Sequence, residues 1–353
     1  MVTTPTLAPL PTLPSILPPS QRKSRLRIIA LSCVIVVALS ELFCRLAIGL
    51  GDPPLYQADG QMEYILQPSK TYHRFHNRFS VNRYGMRADD FPASKSIPDE
   101  LRVIVVGDSI VYGGVRIDQN DIDTEILKRE LQREFGRPVV VGNASAKSWG
   151  PPNELAYLKR YGTLDADVVL LELSSHDYAD TPTFVPVVGV SADYPGKKPP
   201  LALADLFETY LLPRYLHVGE TPAGIDKTMI DTAQSEQDVV ECRESEREFF
   251  RFARVQGAKV ALVQHLTLPE LIGKYHPGYY ANQKVAQEEN VPYVNDAGEL
   301  LTQLKSGESP YFEGDPLHLN RSGQPILAHT LLRAVELSLK GQLNERRASS
   351  AGH

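Results

Sequence analysis

From residue 101 onward, two periods of apolar spacing alternate along the chain. Val103-Ile104-Val105-Val106 is an unbroken apolar run closed by Gly107-Asp108-Ser109, the pattern of a strand buried on both faces of a parallel sheet. Asp121 to Phe135 carries Ile122, Ile126, Leu127 and Leu131 on one helical face, and Pro138 to Val141 reads as a second strand. The spacing then predicts a helix over Pro152 to Gly162, a third strand over Asp167 to Leu173 and a helix over Asp238 to Val255. Lys259 to His265 reads as a fourth strand, Pro292 to Val294 as a short fifth, and Gln324 to Leu339 as a closing helix. Such alternation implies a parallel sheet with right-handed crossovers. Thr181 to Gln237 breaks it, with five prolines up to Pro200 and then an amphipathic piece, Leu203 to Leu216, interrupted at Pro213. An insertion after the C-terminal end of a strand lies over the face where sites form, so a lid or wall and an ordinary structured surface insertion both stay open.

The first hundred residues have three textures. Residues 1–27 begin as a Pro-, Thr- and Leu-rich leader, expected to be disordered, and end in the basic cluster Arg22-Lys23-Ser24-Arg25-Leu26-Arg27. Residues 28–50 are apolar apart from Glu41 and Arg45, which stand four apart and can pair on one helix face. A membrane crossing needs roughly 20 such residues. The preceding positive charge then places the N-terminus in the cytoplasm and the rest of the chain outside. An uncleaved signal-anchor is the leading expectation, with a signal peptide cleaved at Ala38-Leu39-Ser40 as the alternative; either one exports the domain. Residues 51–100 read as a linker or small β-rich subdomain, in which Tyr72 to Val81 alternates like a strand or hairpin with its His and Arg side chains on a solvated face. Residues 341–353 read as a disordered polar tail.

Composition narrows the partners. With 353 residues, 42% of them hydrophobic, the chain can bury one sizeable core. A formal charge of −6 and a pI of 5.9 leave no footprint for nucleic acid. Cys33 and Cys44 lie in the apolar stretch, so Cys242 is alone in the domain, expected semi-buried on a helix, with no disulfide and no Cys/His spacing for zinc.

The candidate chemistry comes from two distant motifs. Ser109 stands at the C-terminal end of the first strand of the domain, where open α/β sheets place reactive groups. Far downstream, Asp315-Pro316-Leu317-His318-Leu319-Asn320 offers His318 as a base and, one turn before it, Asp315 to fix the tautomer and stabilise the imidazolium. His265, after the fourth strand, is a base by residue type, but without an Asp-x-x-His setting it reads as structural or substrate-facing.

Gly107-Asp108-Ser109 and Asp315-x-x-His318 together resemble the first and last blocks of the GDSL/SGNH hydrolase family, over about Leu101 to Leu339. The resemblance implies an α/β, three-layer flavodoxin-like fold with a central parallel sheet, here preceded by the transmembrane helix, and a catalytic domain over 101–340 that carries the insertion 181–237. It implies no metal or organic cofactor, and ester chemistry through an acyl-Ser109 intermediate completed by His318 and Asp315. Two blocks depart from the family: Ser148 stands at the usual glycine of the second, and Ser174-Ser175-His176-Asp177 puts His176 at the asparagine of the third. Backbone N–H groups of Ser109 and Ser148 and the His176 side chain are therefore the expected oxyanion donors, with packing as the other reading of Ser148 and His176. Asp108 is expected to hold the turn after the strand, Asn143 to fix a loop behind the nucleophile, and Trp149 to pack in a loop wall, sugar stacking being its sharper alternative. The functional expectation is an exported, membrane-anchored serine esterase whose partners are a small acyl ester or an acylated polysaccharide. An O-acyltransferase that passes the same acyl group to an extracellular glycan, and a non-catalytic glycan-binding module, stay open beside it.

Overall fold

The computed structural model describes residues 19–212 and 235–350; the leader through residue 18 and the part of the insertion that includes Pro213 lie outside the described residues. Helix α1 (Pro19–Phe43) takes in the basic cluster and passes into a π-helical turn, Cys44–Ile48. Its apolar side chains from Ile28 to Phe43 are exposed, as is Leu46, while Cys44 is buried; the segment Lys23–Ile48 is long and apolar enough to cross a membrane. The chain turns at Gly49 (φ 78°), where a Cβ would lie 2.8 Å from the backbone N of His76. Only glycine fits there.

Two antiparallel pairs follow, β1 (Tyr56–Asp59) with β2 (Glu63–Leu66) and β3 (Lys70–Arg74) with β4 (Asn77–Val81). They are no linker. Tyr56, Met62, Ile65, Leu66, Phe79 and Met86 are buried in one core with Ile104 and Val106 of the main sheet. Nor is the β3–β4 hairpin wholly solvated. His73 and His76 are exposed, but Arg74 is buried, its guanidinium donating to both oxygens of Asp205 at 2.6 and 3.0 Å. A buried cation needs such a partner, and Asp205 arrives from the insertion, which is why the pairing is invisible in the local pattern.

The main sheet has five parallel strands in the order β6-β5-β7-β8-β9. They are β5 (Leu101–Gly107), β6 (Val139–Ser145), β7 (Val168–Leu173), β8 (Lys259–Gln264) and β9 (Tyr293–Asn295). Counted within the sheet this is 2-1-3-4-5, the flavodoxin-like doubly wound order. Both faces are covered, so the central strands carry unbroken apolar runs, at residues 103–106, 168–171 and 260–263. Ile104, Val169 and Leu262 pack toward helices α4 (Pro151–Tyr161), α6 (Glu236–Val255) and α8 (Pro277–Glu288) through Leu158, Phe250 and Val285. On the other face Val105, Leu170 and Val263 meet α3 (Asp123–Phe135) and the closing helix α10 (Gln324–Ser350) through Leu131, Leu327 and Val335. Three layers result. Short helices α2 (Ser109–Tyr112), α5 (Ala202–Leu206), α7 (Leu268–Leu271) and α9 (Ala297–Lys305) complete the described fold.

Two boundaries differ from expectation. β6 runs on through Gly142-Asn143-Ala144-Ser145, because these residues keep their register with Ile104 to Gly107. Asn143 therefore lies in a strand rather than in a loop. Helix α10 continues to Ser350, so the expected tail begins as helix. The described part of the insertion wraps the hairpins: Tyr56 donates its N–H to Pro195, and the Tyr194 ring packs 4.7 Å from that of Tyr64. Farther along it, Glu41 accepts hydrogen bonds from the first N–H groups of α5, at Ala202 and Leu203, while pairing with Arg45 at 2.6 Å. One carboxylate of the apolar helix thus caps a helix of the domain.

Candidate active site

The reactive groups collect at the C-terminal edge of the sheet, as the doubly wound order requires. β5 ends at Gly107, where a Cβ would come within 2.9 Å of the Glu172 carboxyl and of Val111. This close approach, rather than an unusual φ, demands glycine. Asp108 then caps α2, its side chain accepting the N–H of Ile110 at 2.7 Å, as expected of a turn-holding residue. Ser109 is the first residue of that helix and is half-buried. Asn143 supports it from behind: its amide donates to Val111 O at 2.7 Å and lies 3.1 Å from Thr124 Oγ1. Arg87 clamps the segment after α2, donating to the carbonyls of Tyr112, Gly114 and Ile117 at 2.6, 2.8 and 2.7 Å. Burial lowers its pKa to about 10, leaving it charged. No sequence signal marked Arg87, since its partners are three backbone carbonyls and the side chain of Gln119, 32 residues away.

Ser109, His318 and Asp315 come together. Ser109 Oγ lies 2.9 Å from His318 Nε2, and His318 Nδ1 lies 2.7 Å from Asp315 Oδ2. The two motif residues sit in a loop rather than a helical turn, closed by an isolated bridge between Tyr311 and Leu319. Asp315 Oδ1 accepts the N–H groups of Leu317 and His318 at 2.9 and 3.0 Å, so one carboxylate folds the loop and orients the ring. Burial alone would raise the Asp315 carboxyl. The hydrogen bonds from the His318 ring and the two backbone N–H groups win, and hold it well below the usual carboxylate range. An ionised Asp315 beside Nδ1 keeps the proton there and leaves Nε2 facing the serine as an acceptor.

Each expected oxyanion donor follows a strand of the main sheet, Ser109 by opening α2 after β5. Ser148 follows β6 with φ 52°, in the left-handed region, and its hydroxyl accepts from Tyr194 at 3.2 Å. His176 follows β7 in a 3-10 turn, Ser175–Ala179. Its Nε2 is buried without a hydrogen-bond partner among the described residues, and burial lowers its pKa to about 4. A neutral imidazole can still donate one N–H. Trp149 is different: it is 1% exposed and donates its indole N–H to Tyr64 O at 3.1 Å, which removes it as a sugar-stacking surface. Cys242 is fully buried rather than half-buried.

Two further features are buried. Asp108, Glu154, Glu172, Asp177 and Glu246 are all buried. Desolvation, with mutual repulsion, pushes the first three well above the ordinary carboxylate range, Asp177 to about 6 and Glu246 to about 7. The second feature is a second histidine–aspartate pair. His265 Nδ1 is hydrogen-bonded to Asp296 Oδ2, and its Nε2 lies 2.9 Å from Leu317 O, one residue before His318. Both residues are wholly buried. His265 is therefore structural and does not face substrate. Its position and that of Asp296, at the C-terminal ends of the fourth and fifth strands, was the available clue.

No family model matches the chain, and no curated protein matches it. Solved structures similar to it include an acetyl xylan esterase, AlAXEase, at 16% identity and a TM-score of 0.41, covering 67% of this chain and 100% of that one. Others are a lipase/acylhydrolase from Enterococcus faecalis (15%, TM-score 0.40, covering 69% and 96%) and a two-domain esterase active on acetylated mannans (13%, 0.42, covering 68% and 49%). Overlap at these values is shallow, and the chemistry rests on the residues.

Proposed function

We propose that this chain is a serine esterase of the GDSL/SGNH type, membrane-anchored and exported, which cleaves an acyl or acetyl ester, on a polysaccharide, through an acyl-Ser109 intermediate. The observation that carries the reading is the hydrogen-bonded line from Ser109 through His318 to Asp315. His318 takes the serine proton as Oγ attacks the ester carbonyl, then returns it to the departing alcohol; a water activated by the same Nε2 releases the acid. The backbone N–H groups of Ser109 and Ser148, neither of which has an acceptor among the described residues, would hold the oxyanion with the His176 side chain. Anchoring is supported by apolar residues that stay exposed past the possible cleavage site, at Leu42, Phe43 and Leu46.

The test is direct. Detergent-purified full chain mixed with p-nitrophenyl acetate should release a burst of nitrophenol, and the intact protein should gain the mass of one acetyl group. Ser109→Ala should show neither. An acetyl group carried elsewhere, or turnover that survives the substitution, would contradict the assignment.

A further inference from the structure

Beyond β8, the chain crosses the active face on a segment pinned at both ends to the site. At one end Leu268 donates its N–H to Pro316 O at 2.8 Å, inside the Asp315–His318 loop. At the other, His276 Nδ1 lies 3.0 Å from the carbonyl of Ser175, the neighbour of His176, and Gly278 packs so closely on that carbonyl that a Cβ would sit 1.7 Å from it. Tyr275 lies between these pins, and Tyr279 and Tyr280 follow Gly278 directly in the first turn of α8. Tyr275 and Tyr279 stack with ring centroids 4.4 Å apart at 29°, and Tyr280 meets them edge-on at 5.9 and 5.1 Å. Tyr279 packs on the core, whereas Tyr275 is 43% and Tyr280 59% exposed.

We propose that Tyr275, Tyr279 and Tyr280 form a glycan-binding platform at the rim of the active site, which receives a pyranose ring of the acylated polysaccharide. This deepens the esterase reading and rests on it. An aromatic face carries negative charge density that attracts the polarised C–H groups on one face of a pyranose, and a phenol O–H at its edge can exchange hydrogen bonds with sugar hydroxyls. Tyrosine does both with only two side-chain torsions to immobilise. A core-packed Tyr279 holds the exposed pair rigid, so little ordering cost falls on binding. Continuity with the site favours a substrate over an unrelated partner, because the segment is tied to the His318 loop and to the His176 turn. A purely hydrocarbon ligand would leave three phenol groups at its edge without use.

The experiment compares two substrates on full-length protein in detergent: p-nitrophenyl acetate, and a set of partly O-acetylated xylo-, manno- and gluco-oligosaccharides. Tyr280→Ala and Tyr275→Ala should each lower the ratio of oligosaccharide kcat/KM to nitrophenyl acetate kcat/KM about tenfold, mainly through KM, and Tyr280→Phe, which keeps the ring face and loses the phenol O–H, should lower it by less than Tyr280→Ala. A ratio within twofold of wild type for both alanine variants overturns the platform. So does a wild-type enzyme that cleaves nitrophenyl acetate and none of the oligosaccharides, or one whose ratio for p-nitrophenyl decanoate falls in place of the sugar ratio. Failure of Ser109 to acquire an acetyl group from any substrate removes the esterase reading and the platform with it.

Discussion

The molecule contains two histidine–aspartate pairs within one loop's reach of each other, and their fates are opposite. In His318–Asp315 the side chains are 37% and 35% exposed, and in His265–Asp296 both are 0% exposed. Each aspartate meets its partner through Nδ1. What separates the pairs is the other nitrogen. His318 Nε2 faces a hydroxyl, which can give up a proton; His265 Nε2 faces the Leu317 carbonyl, which can only accept one. The same two side chains thus make a base in one setting and a brace in the other. The brace grips the residue beside the base.

Removing the base should have the largest effect. We expect His318→Ala to lower kcat on p-nitrophenyl acetate about 10⁶-fold, as loss of one member of an interdependent catalytic set does, with little change in the melting temperature of so exposed a residue. Asp315→Asn comes next, at about 10⁴-fold, because the amide presents the wrong partner to Nδ1 and misassigns the tautomer. Comparing kcat of the two variants decides whether the pair works as described; equal rates for Asp315→Asn and wild type would reduce Asp315 to a loop-folding residue.

His176 tests the surroundings of that base. If its side chain donates to the oxyanion, His176→Ala should lower the burst rate about 10²-fold and His176→Asn should restore most of it. A burst rate left unchanged in His176→Ala would mean that the ring only packs.

Much of this was legible in the chain, for reasons that differ by element. β5 is buried on both faces, so Val103 to Val106 had to be apolar throughout, and Ser109 had to follow it. Asp315 and His318 were legible because they lie three apart. His265 and Asp296 were not, since they lie 31 residues apart and meet only when β8 and β9 align. The second strand was ended at Val141, short of Gly142, whereas here Gly142 lies within β6, close against Met86, whose Sδ would lie 2.6 Å from a Cβ. Arg74 was assigned to solvent because its neighbours alternate, and its partner Asp205 stands 131 residues away.

The smallest expected effect on turnover, and the one most diagnostic of the brace, is at His265. His265→Gln should keep a donor near Leu317 O but lose the link to Asp296, letting the His318 loop shift; kcat should fall about tenfold with KM little changed. Stability carries the clearer signature. Burial works against the His265 cation, yet the Asp296 carboxylate and then the Leu317 carbonyl outweigh it and raise the folded pKa above the value of about 6.5 expected for the unfolded chain. A group whose pKa is raised on folding stabilises the fold fully below the unfolded pKa and loses that contribution as pH climbs through the folded one. The gap in melting temperature between wild type and His265→Gln should therefore be widest below the unfolded pKa of about 6.5 and narrow as the pH is raised above it. Glu270, which also favours the cation, remains in both proteins and leaves that trend in place. A gap that stays constant across this range would mean that His265 is held neutral in the folded protein, with the bridging proton on Asp296.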